Sequence, residues 1–143
     1  MQLDVVLCDY GQVSGDKLFI NGGGIDRMYV PDGPGPHVVN FSAAGTVTVP
    51  PSQAAGHHVL ALRLETEDDE PAQLFGDASG GTVGGELHLN GSDSPVIDDQ
   101  TISFAFNFQG VPLADLGGYE LVCSLDGQDL RRIFFRVEAV TQS

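Results

Sequence analysis

Apolar and polar residues alternate without a break from residue 101 to residue 109, and this segment constrains the fold more than any other part of the sequence. Ile102, Phe104, Phe106 and Phe108 take the even positions, and polar or small residues take the odd ones. Successive side chains of a β-strand point to opposite faces, so the segment is predicted to be a strand with one apolar and one hydrated face. The phenylalanine rings on one face predict that this face lies at the centre of the core.

Period-two alternation recurs in seven further runs, whereas no run places apolar residues at helical spacing over ten or more positions. Clean alternation is typical of antiparallel sheets packed face to face. The sequence therefore predicts an all-β fold, a two-sheet antiparallel β-sandwich of about eight strands that is immunoglobulin-like or C2-like. The predicted strands cover residues 3–10, 17–30, 38–49, 58–65, 82–90, 101–109 and 119–125, and the last strand follows Asp126-Gly127 and carries Ile133, Phe135 and Val137.

The length of the chain, 143 residues, is that of one ordinary domain. No internal repeat, domain linker or low-complexity stretch divides the sequence. We therefore expect a single β-sandwich domain over residues 1–143.

The chain is strongly acidic, with 20 Asp and Glu residues against 6 Lys and Arg residues and a formal net charge of −14. Such a chain repels phosphate backbones and anionic lipid surfaces, so neither nucleic acid nor a membrane surface is an expected partner. The N-terminal residues show none of the features of a signal peptide. Cys8 and Cys123 each lie in a strand-like apolar run, where reduced, buried thiols are expected. These features favour a cytoplasmic location.

Several segments near both ends of the sequence together form a recognisable set of motifs. They are Leu7-Cys8-Asp9-Tyr10, Gly15-Asp16-Lys17-Leu18, Asn21-Gly22-Gly23-Gly24-Ile25-Asp26-Arg27, Phe104-Ala105-Phe106-Asn107, Gly117-Gly118-Tyr119-Glu120-Leu121, Leu125-Asp126-Gly127 and Phe135-Arg136-Val137. With them the chain resembles a family of small bacterial proteins of unknown function, over most of its length except residues 67–81. The resemblance implies a β-sandwich and brings no established activity.

Catalytic constellations are missing from the sequence. It contains no G-x-S-x-G elbow, and Cys123 falls on the apolar side of its predicted strand, where a nucleophile is not expected. His57 and His58 are adjacent in a strand, so their side chains point to opposite faces and cannot share one metal ion. We expect a non-enzymatic protein without a cofactor, with its histidines isolated on the surface.

Acidic residues in the loops make calcium the alternative to the absence of a cofactor. If the connections cross from one end of the sandwich to the other, five candidate ligands share one end, and calcium takes oxygen ligands from such loops. These candidates are Asp93, Asp98, Asp99, Asp126 and Asp129. Aspartate is also common in turns for purely local reasons, so both interpretations stay open.

The glycine run 22–24 is followed by Asp26 and Arg27, an oppositely charged pair in an otherwise apolar run. The run lacks the lysine and the helix of a phosphate-binding loop, and is predicted to bend its strand. Asp26 and Arg27 are then either structural anchors held by buried hydrogen bonds or part of a ligand site at the bend.

Phe134 has the outward parity of the last strand and stands between Arg132 and Arg136. An exposed ring flanked by two basic residues predicts a contact patch, unless a loop covers it. We therefore expect a non-catalytic interaction or assembly module that binds a protein partner or itself, as a homo-oligomer, through a sheet face or edge. The alternative is a calcium- or glycan-binding module that uses the acidic loop ends.

Overall fold

The computed structural model describes residues 1–54, 57–74, 82–87 and 98–140, and within these ranges the all-β expectation is confirmed. One 3-10 turn, Pro51–Gln53, is the helical element of the described ranges, and it is far too short to cross a bilayer. The strands are β1 (Gln2–Cys8), β2 (Tyr10–Ser14), β3 (Lys17–Asn21), β4 (Arg27–Pro31), β5 (His37–Val49), β6 (His58–Thr66), β7 (Pro71–Ala72), β8 (Thr82–Leu87), β9 (Gln100–Leu113), β10 (Gly117–Leu125) and β11 (Gln128–Val140).

These strands form three sheets. A three-stranded sheet has the order β1-β5-β9, and a six-stranded sheet has the order β4-β11-β10-β6, with β7 and β8 pairing successive parts of β6. Strands β2 and β3 form a separate hairpin. All pairs are antiparallel except β4 and β11, which run parallel. The more specific expectation of about eight antiparallel strands in two sheets is therefore not confirmed.

The run from residue 17 to residue 30, expected to be one bent strand, is two strands in different sheets. Gly22 and Gly24 have φ angles of 65° and 82°, in the left-handed region that glycine enters without steric cost. The chain leaves the hairpin at this turn, and the N–H groups of Gly24 and Ile25 donate to the Leu7 carbonyl at 2.9 and 3.1 Å. The glycines therefore end β3 and redirect the chain to the six-stranded sheet.

The core lies between the three-stranded and six-stranded sheets, where inward side chains from both form one cluster. The rings of Phe41 on β5 and Phe135 on β11 lie 5.6 Å apart across this space, and both are fully buried. The inward parity of Leu60, Leu62 and Leu64 in β6 agrees with the structure, since each is at most 1% exposed.

The apolar face of β9 differs from expectation at one ring. Phe104 and Phe108 are buried, but Phe106 is only partly buried. Strand β9 is the outermost strand of its sheet, and Phe106 lies beside an apolar opening between β9 and the six-stranded sheet. Phe104 lies across from Gly45, where a Cβ atom would come within 3.0 Å of the ring and within 1.9 Å of a backbone oxygen.

The hairpin formed by β2 and β3 lies on the outer face of the three-stranded sheet. A Cβ atom at Gly11 would lie 2.8 Å from Cβ of Ala44 and 3.2 Å from Cβ of Ala105. Ala44 is completely buried although its side chain points away from the core. One face of the three-stranded sheet thus packs on the core, and the other is partly covered by the hairpin.

Candidate functional site

The outer face of the six-stranded sheet carries an ion-pair network around Arg132. Glu65 on β6 and Glu120 on β10 are directly opposite each other, an unfavourable arrangement for two carboxylates unless a cation lies between them. Arg132 Nη1 is that cation: it lies 3.2 Å from Glu65 Oε1, 3.0 Å from Glu120 Oε2 and 3.8 Å from Asp69 Oδ1.

A second arginine extends the network. Arg63 donates through both terminal nitrogens to the carboxylate of Asp129 at 2.9 and 2.8 Å, and through Nε to Glu65 Oε2 at 2.8 Å. The hydrogen bond from Arg63, helped by Arg132, lowers the pKa of Glu65. Val122 pairs with Arg63 on one side and Arg132 on the other, and it is completely buried although its parity is outward. The ion-paired arginine side chains therefore cover this part of the face.

Phe134, predicted to form a contact patch, is 48% exposed and lies beside the network. Its ring rests on Gly118, where a Cβ atom would approach ring carbons to 2.8 and 3.0 Å, and the Arg136 guanidinium carbon lies 6.0 Å from the ring centroid. Arg132 is engaged with the carboxylates described above, so the structure gives the two flanking arginines different surroundings. Binding of a partner at Phe134 stays a prediction.

The predicted calcium ligands are only partly brought together. Gln100 pairs with Val49, and the chain runs from Val49 through the 3-10 turn to β6, so Asp98 and Asp99 lie at the same end of the sheets as Asp126. Asp93 lies outside the described residues. Within the described ranges, the acidic side chains with ligand oxygens inside 4.8 Å of one another are Glu65, Asp69 and Glu120, a different set with Arg132 beside it.

Asp126 and Asp129 already accept hydrogen bonds from protein groups. Asp129 binds Arg63, and this hydrogen bond lowers the pKa of Asp129. Asp126 Oδ2 lies 2.7 Å from His58 Nδ1, and Asp126 Oδ1 accepts from the Val59 N–H at 2.8 Å. Calcium binding at these residues stays a prediction.

His58, expected to lie on the surface, is buried, and both of its ring nitrogens face acceptors. Nδ1 faces the Asp126 carboxylate, and Nε2 lies 2.7 Å from the carbonyl oxygen of Gln53. Both nitrogens can donate only if the ring is protonated, and the hydrogen bond to Asp126 raises the pKa of His58. The pair links the turn before β6 to the turn after β10. The strand parity of His58 predicts that its side chain is buried. Its partner Asp126 is 68 residues away in sequence, so no local pattern predicts the pair.

Asp26 and Arg27 connect β4 to β11. The backbone carbonyl of Asp26 accepts from the Arg136 N–H at 3.0 Å, and Arg27 Nη1 donates to Glu138 Oε1 at 3.0 Å. Both side chains are exposed. Arg27 is thus joined to β11 by an exposed ion pair and not by the expected buried hydrogen bond, and a ligand site at the glycine bend stays a prediction.

The outer edge of β9 is a further candidate that the sequence pattern did not single out. Strand β5 pairs with one edge of β9, and no other strand of the described residues pairs with the second edge. We call the unpaired side of residues 100–106 the β9 edge. The whole strand, 14 residues long, contains no charged side chain.

An apolar groove runs along the β9 edge, between β9 and the facing β8. It has a volume of about 260 Å³, and Ile102, Phe104 and Phe106 line one side of it. Leu60 and Leu87 from the six-stranded sheet line the other side. Among the described residues that line it, Glu86 is the one charged residue.

The two cysteines offer no activated nucleophile. Both are free and buried. Burial raises the pKa of the Cys123 thiol to about 12 and also raises the pKa of Cys8, so neither thiol is ionised near neutral pH.

Comparison with known proteins adds a family and no activity. No curated protein and no solved structure matches the chain. One family profile matches residues 3–138, nearly the whole chain, and its description is "Family of unknown function (DUF6941)". The expected membership in a family of unknown function is therefore confirmed, and the chain belongs to the DUF6941 family.

Proposed function

We propose that the protein is a non-catalytic interaction module that binds another protein chain by strand addition at the β9 edge. In strand addition, an extended segment of the partner pairs its backbone with an unpaired sheet edge, and its alternate side chains enter pockets beside that edge. The observation that carries the proposal is the uncharged β9 edge, residues 100–106, with its apolar groove.

The other outer strands support this choice by contrast. Sheet edges that are not used for binding are commonly short or carry charges or proline, which prevents unwanted pairing. Strand β4 has five residues, including Arg27 and Pro31, and β8 has six residues, including Glu86. Strand β1 contains Asp4. Strand β9 has neither a charge nor a short length, and its proline, Pro112, lies outside residues 100–106.

Further features fit a module of this kind. The Tyr119 hydroxyl donates to the Asp115 carbonyl at 2.5 Å, the arrangement of the tyrosine corner of immunoglobulin-like sandwiches. An immunoglobulin-like or C2-like two-layer sandwich is therefore the architecture that we assign to the module as part of the proposal. The two free thiols support a cytoplasmic location.

Amide hydrogen exchange of the isolated protein tests the proposal. In an edge strand only alternate amides are paired, so every second amide in residues 100–106 should exchange fast in the monomer. The alternate amides, paired with β5, should exchange slowly. If all amides of this segment are slow in a particle of monomer mass, the edge is already covered and strand addition at β9 is wrong.

A further inference from the structure

We infer that the partner at the β9 edge is an extended segment of a different, basic protein, with apolar side chains at every second position. This inference rests on the proposed function and specifies the chemistry of what binds there. Two observations carry it: the lining of the groove and the distribution of charge around it.

The groove requires apolar side chains at alternate positions. Ile102, Phe104 and Phe106 share one face of β9, and a strand added beside them has the same period of two. Its alternate side chains would enter the space between these residues and Leu60 and Leu87. At about 260 Å³ the groove is smaller than the roughly 300–1,000 Å³ of most small-molecule sites, which fits a few side chains of a strand better than a separate ligand.

The surrounding charge favours a basic partner. Glu86 on β8 borders the groove, with the outward parity of its cross-strand partner Val59, and the exposed Asp98 and Asp99 come directly before β9. A second copy would bring the same carboxylates and a further net charge of −14 to this edge, and like charges of that size oppose association. A cationic segment gains from the same charges.

Three peptides test the inference on the intact protein. The first alternates valine and threonine over about eight positions between lysine pairs, the length of a typical added strand. The second replaces the lysines with glutamates, and the third keeps the lysines but replaces the valines with serines. Affinity is measured by fluorescence anisotropy at low and high salt, and the site by amide chemical shifts in ¹⁵N-labelled protein.

We expect the first peptide to bind at least about tenfold more tightly than the other two, to shift the amides of residues 100–106, and to bind more weakly as salt rises. Ile102→Lys and Phe106→Lys should each reduce its affinity by about tenfold or more. Val140→Lys is the matched control, since it adds the same charge at a 44% exposed position of β11, on the other sheet and beside β4, and it should leave binding unchanged. Melting curves identify any variant that is unfolded. Two groove variants are used so that the test still stands if one of them does not fold.

The outcomes distinguish an error in the partner's chemistry from an error in the proposed function. Equal binding of the serine peptide would overturn the apolar part of the inference, and equal binding of the glutamate peptide would overturn the basic part. A dimer whose interface protects residues 100–106 and which strengthens with salt would make a second copy the partner, and strand addition would stand. Protection of these amides in the isolated monomer would instead overturn the proposed function itself.

Discussion

The side-chain amide of Asn107 forms hydrogen bonds to the backbone of Gly11 like those that a neighbouring strand would form. Its side-chain nitrogen donates to the Gly11 carbonyl at 3.0 Å, and its side-chain oxygen accepts from the Gly11 N–H at 3.1 Å, so one amide satisfies both backbone groups. The Ser42 hydroxyl also donates to the Asn107 side-chain oxygen. Through this contact the hairpin of β2 and β3 is fixed to the outer face of the three-stranded sheet.

Replacing Asn107 with alanine should therefore destabilise the protein. Gly11 is buried, and unpaired buried backbone groups cost about 1–3 kcal/mol each, so we expect a loss of about that size in the free energy of unfolding. Urea denaturation measures it. Gln109→Ala, at an exposed position of the same strand, is the control and should change stability little. Equal effects of the two changes would show that the amide does not hold the hairpin.

The His58–Asp126 pair predicts a specific dependence of stability on pH. The pKa of His58 is raised, so its contribution is complete below its ordinary value of 6.5 and is lost as pH rises through the raised value. The pKa of Asp126 is lowered, so its contribution is complete above 3.8 and is lost as pH falls through the lowered value. The pair thus contributes most between these two pH values.

His58→Gln should lower the free energy of unfolding by about 1.5 kcal/mol at about pH 6, the low end for charged hydrogen bonds because Asp126 is partly exposed. The difference from the unmodified protein should shrink by about pH 9. Thermal melts at both pH values measure it, with His57→Gln at an exposed position as control. A difference that stays constant with pH would contradict a charged His58.

Three phenylalanine positions should differ in their contribution to stability. Phe135 is fully buried, so Phe135→Ala should cost about 3–5 kcal/mol. Phe106→Ala should cost roughly 1–2 kcal/mol, since the ring is only partly buried at the open side. Phe134→Ala should cost less than about 1 kcal/mol. Urea denaturation ranks the three, and a Phe106 effect as large as that of Phe135 would place Phe106 in the core after all.

Calcium should act differently on the unmodified protein and on Arg132→Met. In the unmodified protein we expect calcium and magnesium to raise the melting temperature equally and slightly, by screening the net charge. In the variant, Glu65, Asp69 and Glu120 lose a shared cation, and calcium should then raise the melting temperature more than magnesium does. Arg136→Met has the same charge change, and because Arg136 forms no ion pair with the part of the chain that the structure describes, it serves as control. A large calcium-specific shift in the unmodified protein would instead favour the acidic loop ends as a calcium site.

The sequence predicted the strands and their inward faces better than their assembly. Alternation alone identifies Leu60, Leu62 and Leu64 as inward and Phe134 as outward, because side-chain parity is local. It does not reveal which strand lies outermost in a sheet. Phe104 and Phe106 have the same parity on this outermost strand, yet only Phe104 is buried, and alternation cannot distinguish the two.

The candidate sites were harder to predict for a related reason. Phe134 and the arginines beside it are neighbours in sequence, so strand parity suffices to find them. Glu65 and Glu120, in contrast, meet only because β6 and β10 pair in one particular register. Whether a strand edge is unpaired likewise depends on the strand order of the whole sheet, and no local pattern in residues 100–106 predicts it.

The parallel pairing of β4 with β11 has a consequence for synthesis on the ribosome. Arg27 and Glu138, which join the two strands, are 111 residues apart in sequence. Translation adds residues at about 5–20 per second, so β11 is synthesised several seconds or more after β4. Met28 and Val30, both buried in the finished fold, lack their pairing with β11 during that time. The nascent chain therefore presents an apolar strand that holdase chaperones can recognise, and folding is completed only after β11 has left the exit tunnel.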